Sequence, residues 1–171
     1  SKCPISFELD ESKPFRLGRN EPHYKFILDL YNLSKYNNLA YERFLSTVDE
    51  RGIGLVDQII FYDHRLPTMS YEVKSGGRIQ QVEREKYLIV PSLIIDGFPL
   101  SPSQLSDGTF KTLALIFYVL TDKSKLLLIE EPEVGVHHGL LSSIIELIKV
   151  QSKSKQIIIS THSDYILDKL K

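Results

Sequence analysis

The sequence predicts an α/β protein, with parallel core strands and helices in its second half and a helical and antiparallel β lobe in its first. Three observations carry this. Leu126 to Ile129 and Ile157 to Ile159 are short continuous apolar runs separated by a helical stretch from about Gly139 to Val150, and a strand, helix, strand order implies parallel strands buried between helical layers. From Tyr24 to about Val48 the apolar residues recur at helical spacing. Between these regions, three runs of strand character flank a pair of glycines. The chain has 171 residues, 42% of them hydrophobic, enough for one packed core with a small extra lobe. We divide it into a lobe of residues 1–86, inserted in or flanking the core, and a core subdomain of residues 87–171.

Along the chain, residues 1 to about 21 carry Pro4, Pro14 and Gly18 among charges, Pro22 follows, and only Ile5 to Leu9 alternates as a short strand does. Phe26, Ile27, Leu30 and Leu33, then Leu39, Phe44 and Leu45, mark two helices broken near Tyr36-Asn37-Asn38. Their aromatics suit a core better than a base-stacking surface. Arg51-Gly52-Ile53-Gly54 stops the second helix. Leu55 to Tyr62, Met69 to Lys74 and Tyr87 to Ile95 read as strands, with Ser75-Gly76-Gly77 as a hairpin turn because paired glycines accept positive φ. Ser101 to Asp107 is polar and turn-prone, and Phe110 to Leu120 is an apolar helix.

Composition narrows the function. The 21 basic and 22 acidic residues nearly balance, which disfavours a polyanion-coating protein. The one cysteine, Cys3, makes no internal disulfide or thiolate cage; it reads as an incidental thiol and suits a reducing compartment. No segment resembles a signal peptide, and no apolar run approaches the roughly 20 residues that span a bilayer. The expected location is cytoplasmic, with no membrane partner.

Three stretches carry chemistry. The strand Leu126 to Ile129 delivers Glu130 and Glu131 to its carboxyl end, where open α/β sheets bind ligands, and Pro132 ends the strand by withholding a donor. Adjacent side chains there point to different sides, so one carboxylate can hold a magnesium ion, usually through water, and the other can polarise a water attacking a phosphate. A solvated acidic turn after a core strand has the same composition. Upstream, Leu105-Ser106-Asp107-Gly108-Thr109 leads into the Phe110 helix; Ser106 or Asp107 can cap it, Gly108 permits close approach, and the helix start favours phosphate. An ordinary capped helix reads the same way, and Asp107 opposes phosphate unless it turns aside. Downstream, His162 follows the Ile157 strand, as a structural histidine or as a γ-phosphate sensor.

In this order the three stretches resemble the signature motif, Walker B segment and switch histidine of ABC-type ATPase heads, a P-loop NTPase-like fold. They look most like those of the soluble AAA-family ATPases of the OLD, RecF and SMC-like groups. The resemblance covers residues 87–171 well and 1–86 loosely. It implies that Ser106, Gly108 and Thr109 reach the γ-phosphate of ATP held by an opposite subunit, that Glu130 is the Mg2+-side acid, acting through water, and that Glu131 activates water. It further implies that Val134-Gly135-Val136-His137 crosses a homodimer interface and that His162 is the switch histidine. Glu130 stands where transporters carry aspartate, Thr109 replaces their glutamine, and Glu133 after Pro132 is typical of the soluble branch. Adjacent His137 and His138 point apart and make a poor metal pair.

No GxxxxGK[ST] stretch occurs, and Gly18-Arg19-Asn20 lacks its lysine and hydroxyl. P-loop amides and lysine supply most of the grip on a triphosphate, so the chain alone is expected to bind ATP weakly and not to hydrolyse it, the P-loop lying in the N-terminal half of a longer protein. ATP and Mg2+ both require that half. In the whole protein the resemblance implies head-to-head dimers around two ATP molecules, driving a DNA-related or defence effector. Two other classes stand beside this: a non-catalytic interaction module keeping the fold, and a nucleic-acid-binding domain using Lys74, Arg78, Arg84 and Lys86, whose alternation with Glu83 and Glu85 favours a solvated face. A transporter ATPase is a further catalytic rival, disfavoured because Tyr24 to Ile95 is not the usual helical lobe.

Overall fold

The helical spacing from Tyr24 to Val48 forms two helices, α1 (Pro22–Tyr36) and α2 (Asn38–Val48), in a computed structural model that describes residues 7–10 and 22–170. Cys3, Gly18-Arg19-Asn20 and the side chains of Glu83, Arg84 and Glu85 lie outside the described residues. Asn37 serves both helices: its amide donates to the Leu33 carbonyl at 2.9 Å, closing α1, and its side-chain oxygen accepts from Ala40 N at 3.2 Å, capping α2. The helical aromatics Phe26, Tyr31, Tyr41 and Phe44 are core, as their spacing implies, whereas Tyr36 is exposed. Phe26 meets Phe110 and Phe117 edge-on at 5.2 and 5.4 Å between ring centres, and Phe44 meets Phe117 at 5.5 Å. Tyr41 donates to the Ile59 carbonyl at 2.8 Å, and burial pushes its phenol up to about 12.

After α2 the chain reverses on Gly52. A Cβ added there would stand 2.2 Å from the Thr47 carbonyl oxygen, and Ile53 N donates to that same oxygen at 2.8 Å, so neither side can yield. Gly52→Ala is therefore expected to cost about 1–3 kcal/mol, as overpacking does. Thermal unfolding should show a fall of roughly 2–4 °C per kcal/mol.

The strand-like runs form fewer, longer strands than the sequence suggests. β2 (Gln58–Lys74) and β3 (Arg78–Ile95) are one antiparallel hairpin, while β1 (Phe7–Asp10) and β4 (Phe98–Leu100) share the other edge of β3. Asp63-His64-Arg65 breaks the apolar pattern, but cross-strand pairing continues through it, and Pro67 is tolerated because β2 is the edge strand. At the turn, Gly76 and Gly77 have φ of 96° and 75°. The base of the sheet joins the core through Ile59, Ile89 and Leu93, whereas Met69, Tyr71, Val73 and Ile79 near the tip are exposed. Lys86 and Tyr87, on either side of the division drawn from sequence, are consecutive residues within β3. Buried residues from α1, α2, β2, β3, α3 and β5 form one cluster.

The second half follows as α3 (Asp107–Thr121), β5 (Leu126–Glu130), α4 (His138–Ser152), β6 (Gln156–Ser160) and α5 (Asp164–Leu170). β5 and β6 pair in parallel, Leu126 opposite Gln156 through Glu130 opposite Ser160, with α4 as the crossover. Leu127, Ile129, Ile157 and Ile159 face the core. The expectation that these strands are buried between two helical layers is corrected here. Leu126, Leu128 and Ile158, on the alternate face, are 45%, 68% and 49% exposed, because among the described residues the helices cover one face only.

Candidate functional site

The ends of β5 and β6 lie side by side, and the chain leaves them by two differently built loops. Past Glu130 the pairing extends one residue, Glu131 N donating to the Ser160 carbonyl at 2.8 Å. Glu131 then turns the backbone at φ 43°, a left-handed conformation costly to a residue with a Cβ. Val134 N donates to the Glu131 carbonyl and Val136 N to the Glu133 carbonyl, each at 3.1 Å, a pair of turns completed by Gly135 at φ 80°. His137 closes the loop by capping α4, its Nδ1 accepting from Gly139 N at 3.2 Å.

Glu131 Oε1 lies 3.6 Å from His162 Nε2, with the imidazole 92% exposed. Thus the two side chains singled out at the strand ends meet, and the histidine is free to reach a ligand. Glu130 lies on the open face of the sheet, by alternation with Leu126 and Leu128. The expectation that simple alternation separates Glu130 from Glu131 needs correction, since the left-handed turn takes Glu131 out of the strand repeat. Both glutamates line a cleft of about 370 Å³ together with Lys111 and Val134.

The upstream turn reaches the same loop. Ser106, not Asp107, caps α3: its hydroxyl accepts from Thr109 N at 3.0 Å and stands 2.8 Å from the Thr109 hydroxyl. Gly108 touches the β5–α4 loop so closely that a Cβ on it would fall 2.0 Å from the Gly135 carbonyl oxygen. The three motifs therefore form one connected surface, with Gly108 against Gly135 and Glu131 against His162.

Sequence reasoning noted Glu133 only for its place after Pro132, yet it ties the two loops together. Its Oε1 accepts from the Thr161 hydroxyl at 2.6 Å and from His162 N at 3.0 Å. Burial pushes its carboxyl up, but the Thr161 bond and backbone amides outweigh that and hold it below its ordinary value. A carboxylate one residue past a strand-ending proline, with a hydroxyl just past the neighbouring strand, was the available signal.

The basic residues of the hairpin are spread out. Lys74 and Arg78 pair across the tip, while Lys86 sits opposite Leu66, about 27 Å from Arg78 at roughly 3.4 Å per residue. Glu72 and Gln80 share the register face of Lys74 and Arg78, and the exposed Tyr71, Val73 and Ile79 take the other. No compact cationic patch arises among the described residues.

A family model described as "AAA domain, putative AbiEii toxin, Type IV TA system" matches residues 11–168. It takes in the helical and antiparallel part as well as the parallel pair, so the similarity extends well into the half that the motifs cover only loosely. No curated protein matches the chain. No helix among the described residues is long and apolar enough to cross a membrane.

Proposed function

The chain belongs to this AAA domain family, and from that premise we propose that it is the signature, Walker B and switch-histidine part of an ATP-hydrolysing ABC-type head, of the OLD, RecF and SMC-like kind. AAA ATPase domains generally use ATP and Mg2+, and the mixed α/β fold with its parallel pair is compatible with a P-loop NTPase-like architecture. The observation that carries the reading is the approach of Glu131 Oε1 to His162 Nε2, 3.6 Å apart at neighbouring ends of parallel strands.

In this reading Glu131 orients and polarises the attacking water, and the exposed His162 donates a hydrogen bond to the γ-phosphate. Glu130 holds magnesium. Its carboxylate at a strand end beside a second carboxylate fits a hard cation that keeps water and takes one or two protein carboxylates plus phosphates. Once bound, the cation neutralises charge on the phosphate oxygens. Ser106, Gly108 and Thr109 face the γ-phosphate of a second subunit's ATP, so two copies close as a homodimer around two nucleotides.

The open face of the parallel pair supports a further part of the reading. Strands of this kind are ordinarily covered on both faces, and Leu126, Leu128 and Ile158 leave an apolar surface suited to a P-loop-bearing segment that completes the layer. Such a segment would grip the triphosphate, and the closing and opening head would drive a DNA-related or defence effector. An ATP-binding titration tests this: the chain alone should bind weakly and turn over nothing, and joining it to the P-loop segment should restore both. A joined protein that still fails to bind ATP sinks the reading.

A further inference from the structure

Thr161, His162 and Ser163 join β6 to α5 outside any strand ladder, and a side chain from the neighbouring loop fixes them. One oxygen of Glu133 receives both the Thr161 hydroxyl and the His162 amide, at 2.6 and 3.0 Å. The Thr161 hydroxyl in turn accepts from Ser163 N at 2.9 Å. The Ser163 carbonyl accepts from Ile166 N and Leu167 N at 3.1 and 3.2 Å, the first bonds of α5. One carboxylate oxygen is thus the hub through which the β5 loop holds the whole strap. The other oxygen, Oε2, is enclosed and has no partner among the described residues. The carboxylate's hydrogen bonds hold Thr161 and the backbone of His162, whose imidazole meets Glu131.

We propose that Glu133 is a positioning residue for His162, tying the β6–α5 strap to the β5 loop so that the imidazole stays beside Glu131. The inference rests on the ATPase reading of Glu131 and His162. Glu133 acts through the backbone amide of His162 and through the Thr161 hydroxyl. A fixed backbone matters here because the His162 ring is almost fully exposed, with little packing of its own to hold it. The two hydrogen bonds ask for an acceptor oxygen rather than a charge, so glutamine should substitute and alanine should not.

The test uses Glu133→Ala, Glu133→Gln and Thr161→Val, with thermal melts to show that each folds; if Glu133→Ala does not, Thr161→Val, which removes one of the two bonds, takes its place. Amide hydrogen exchange at His162 and Ser163 needs no catalysis. Glu133→Ala should speed it about tenfold or more, as loss of a charge-assisted bond does, and Glu133→Gln should keep it within roughly threefold. In the protein joined to its P-loop segment, the alanine variant should lower kcat about tenfold with little change in KM, and glutamine should rescue it. Unchanged exchange at His162 in Glu133→Ala, with Glu131→Gln inactive, overturns the inference, as does a glutamine variant as impaired as alanine. Failure of the ATPase reading looks different: Glu131→Gln turns over normally while exchange still separates Glu133→Ala from Glu133→Gln.

Discussion

Glu131→Gln, in the protein joined to its P-loop segment, is expected to lower ATP turnover by about 10²- to 10⁴-fold, the usual worth of a positioned general base, while leaving ATP binding and the ATP-held dimer intact. The substitution keeps the side chain's size and its place 3.6 Å from His162, and replaces a basic carboxylate with an amide that cannot take a proton from water. Steady-state turnover and a sizing measurement with ATP check the two halves of the expectation: the variant should accumulate as a dimer where the parent cycles. The backbone supplies a control. Glu131 sits at φ 43°, where asparagine is more at home than glutamate, so Glu131→Asn should melt at or above the parent's temperature and still lose turnover. A gain in stability alongside a loss of activity marks strain held at a working position. Normal turnover in Glu131→Gln removes Glu131 from the chemistry.

How much of this was legible in the sequence depends on the range of the interaction. The break at Asn37 and the Gly76-Gly77 turn are local: one side chain caps the next helix, and two glycines take positive φ. Both are legible in the sequence. The Asp96-Gly97 turn, with φ of 51° and 77°, carries an equally local signal for the β3–β4 hairpin. The full length of β2 was not legible, because Asp63-His64-Arg65 looks like an interruption until β3 is seen to pair across it. Strand preference is largely a property of neighbours. Likewise the run Leu126 to Ile129 predicts burial on both faces, but apolar composition records what a strand needs and not which segment supplies the cover.

The site divides in the same way. Glu131 and His162 could be placed together because each follows an apolar parallel strand, and adjacent parallel strands bring their ends together. The left-handed turn at Glu131 could not be read, since glutamate carries no preference for it. The Glu133 tie to Thr161 joins residues on separate loops, and only the register of β5 against β6 brings them within reach.

Gly108→Ala is the second large effect, and its cause is contact rather than chemistry. The added methyl would stand 2.0 Å from the Gly135 carbonyl oxygen, well inside contact distance. Gly135 cannot simply retreat, because its φ of 80° is set between two turn hydrogen bonds of 3.1 Å, from Val134 N and from Val136 N. The start of α3 must therefore swing away, taking Ser106 and Thr109 with it. Folding should weaken by about 1–3 kcal/mol, seen as a lower melting temperature. Displacing groups that orient a reacting phosphate by about 1 Å can cost on the order of 10²-fold in rate, so ATP-dependent dimerisation and turnover should fall much further than stability alone explains. Gly52→Ala separates the two: it carries a similar overpacking cost at the turn after α2 yet leaves the Gly108 contact in place. If the signature turn meets ATP across the dimer, Gly108→Ala should impair dimerisation far more than Gly52→Ala at matched loss of stability. Equal ATP-driven dimerisation in Gly108→Ala and the parent would mean that this turn packs against the β5–α4 loop for structure only.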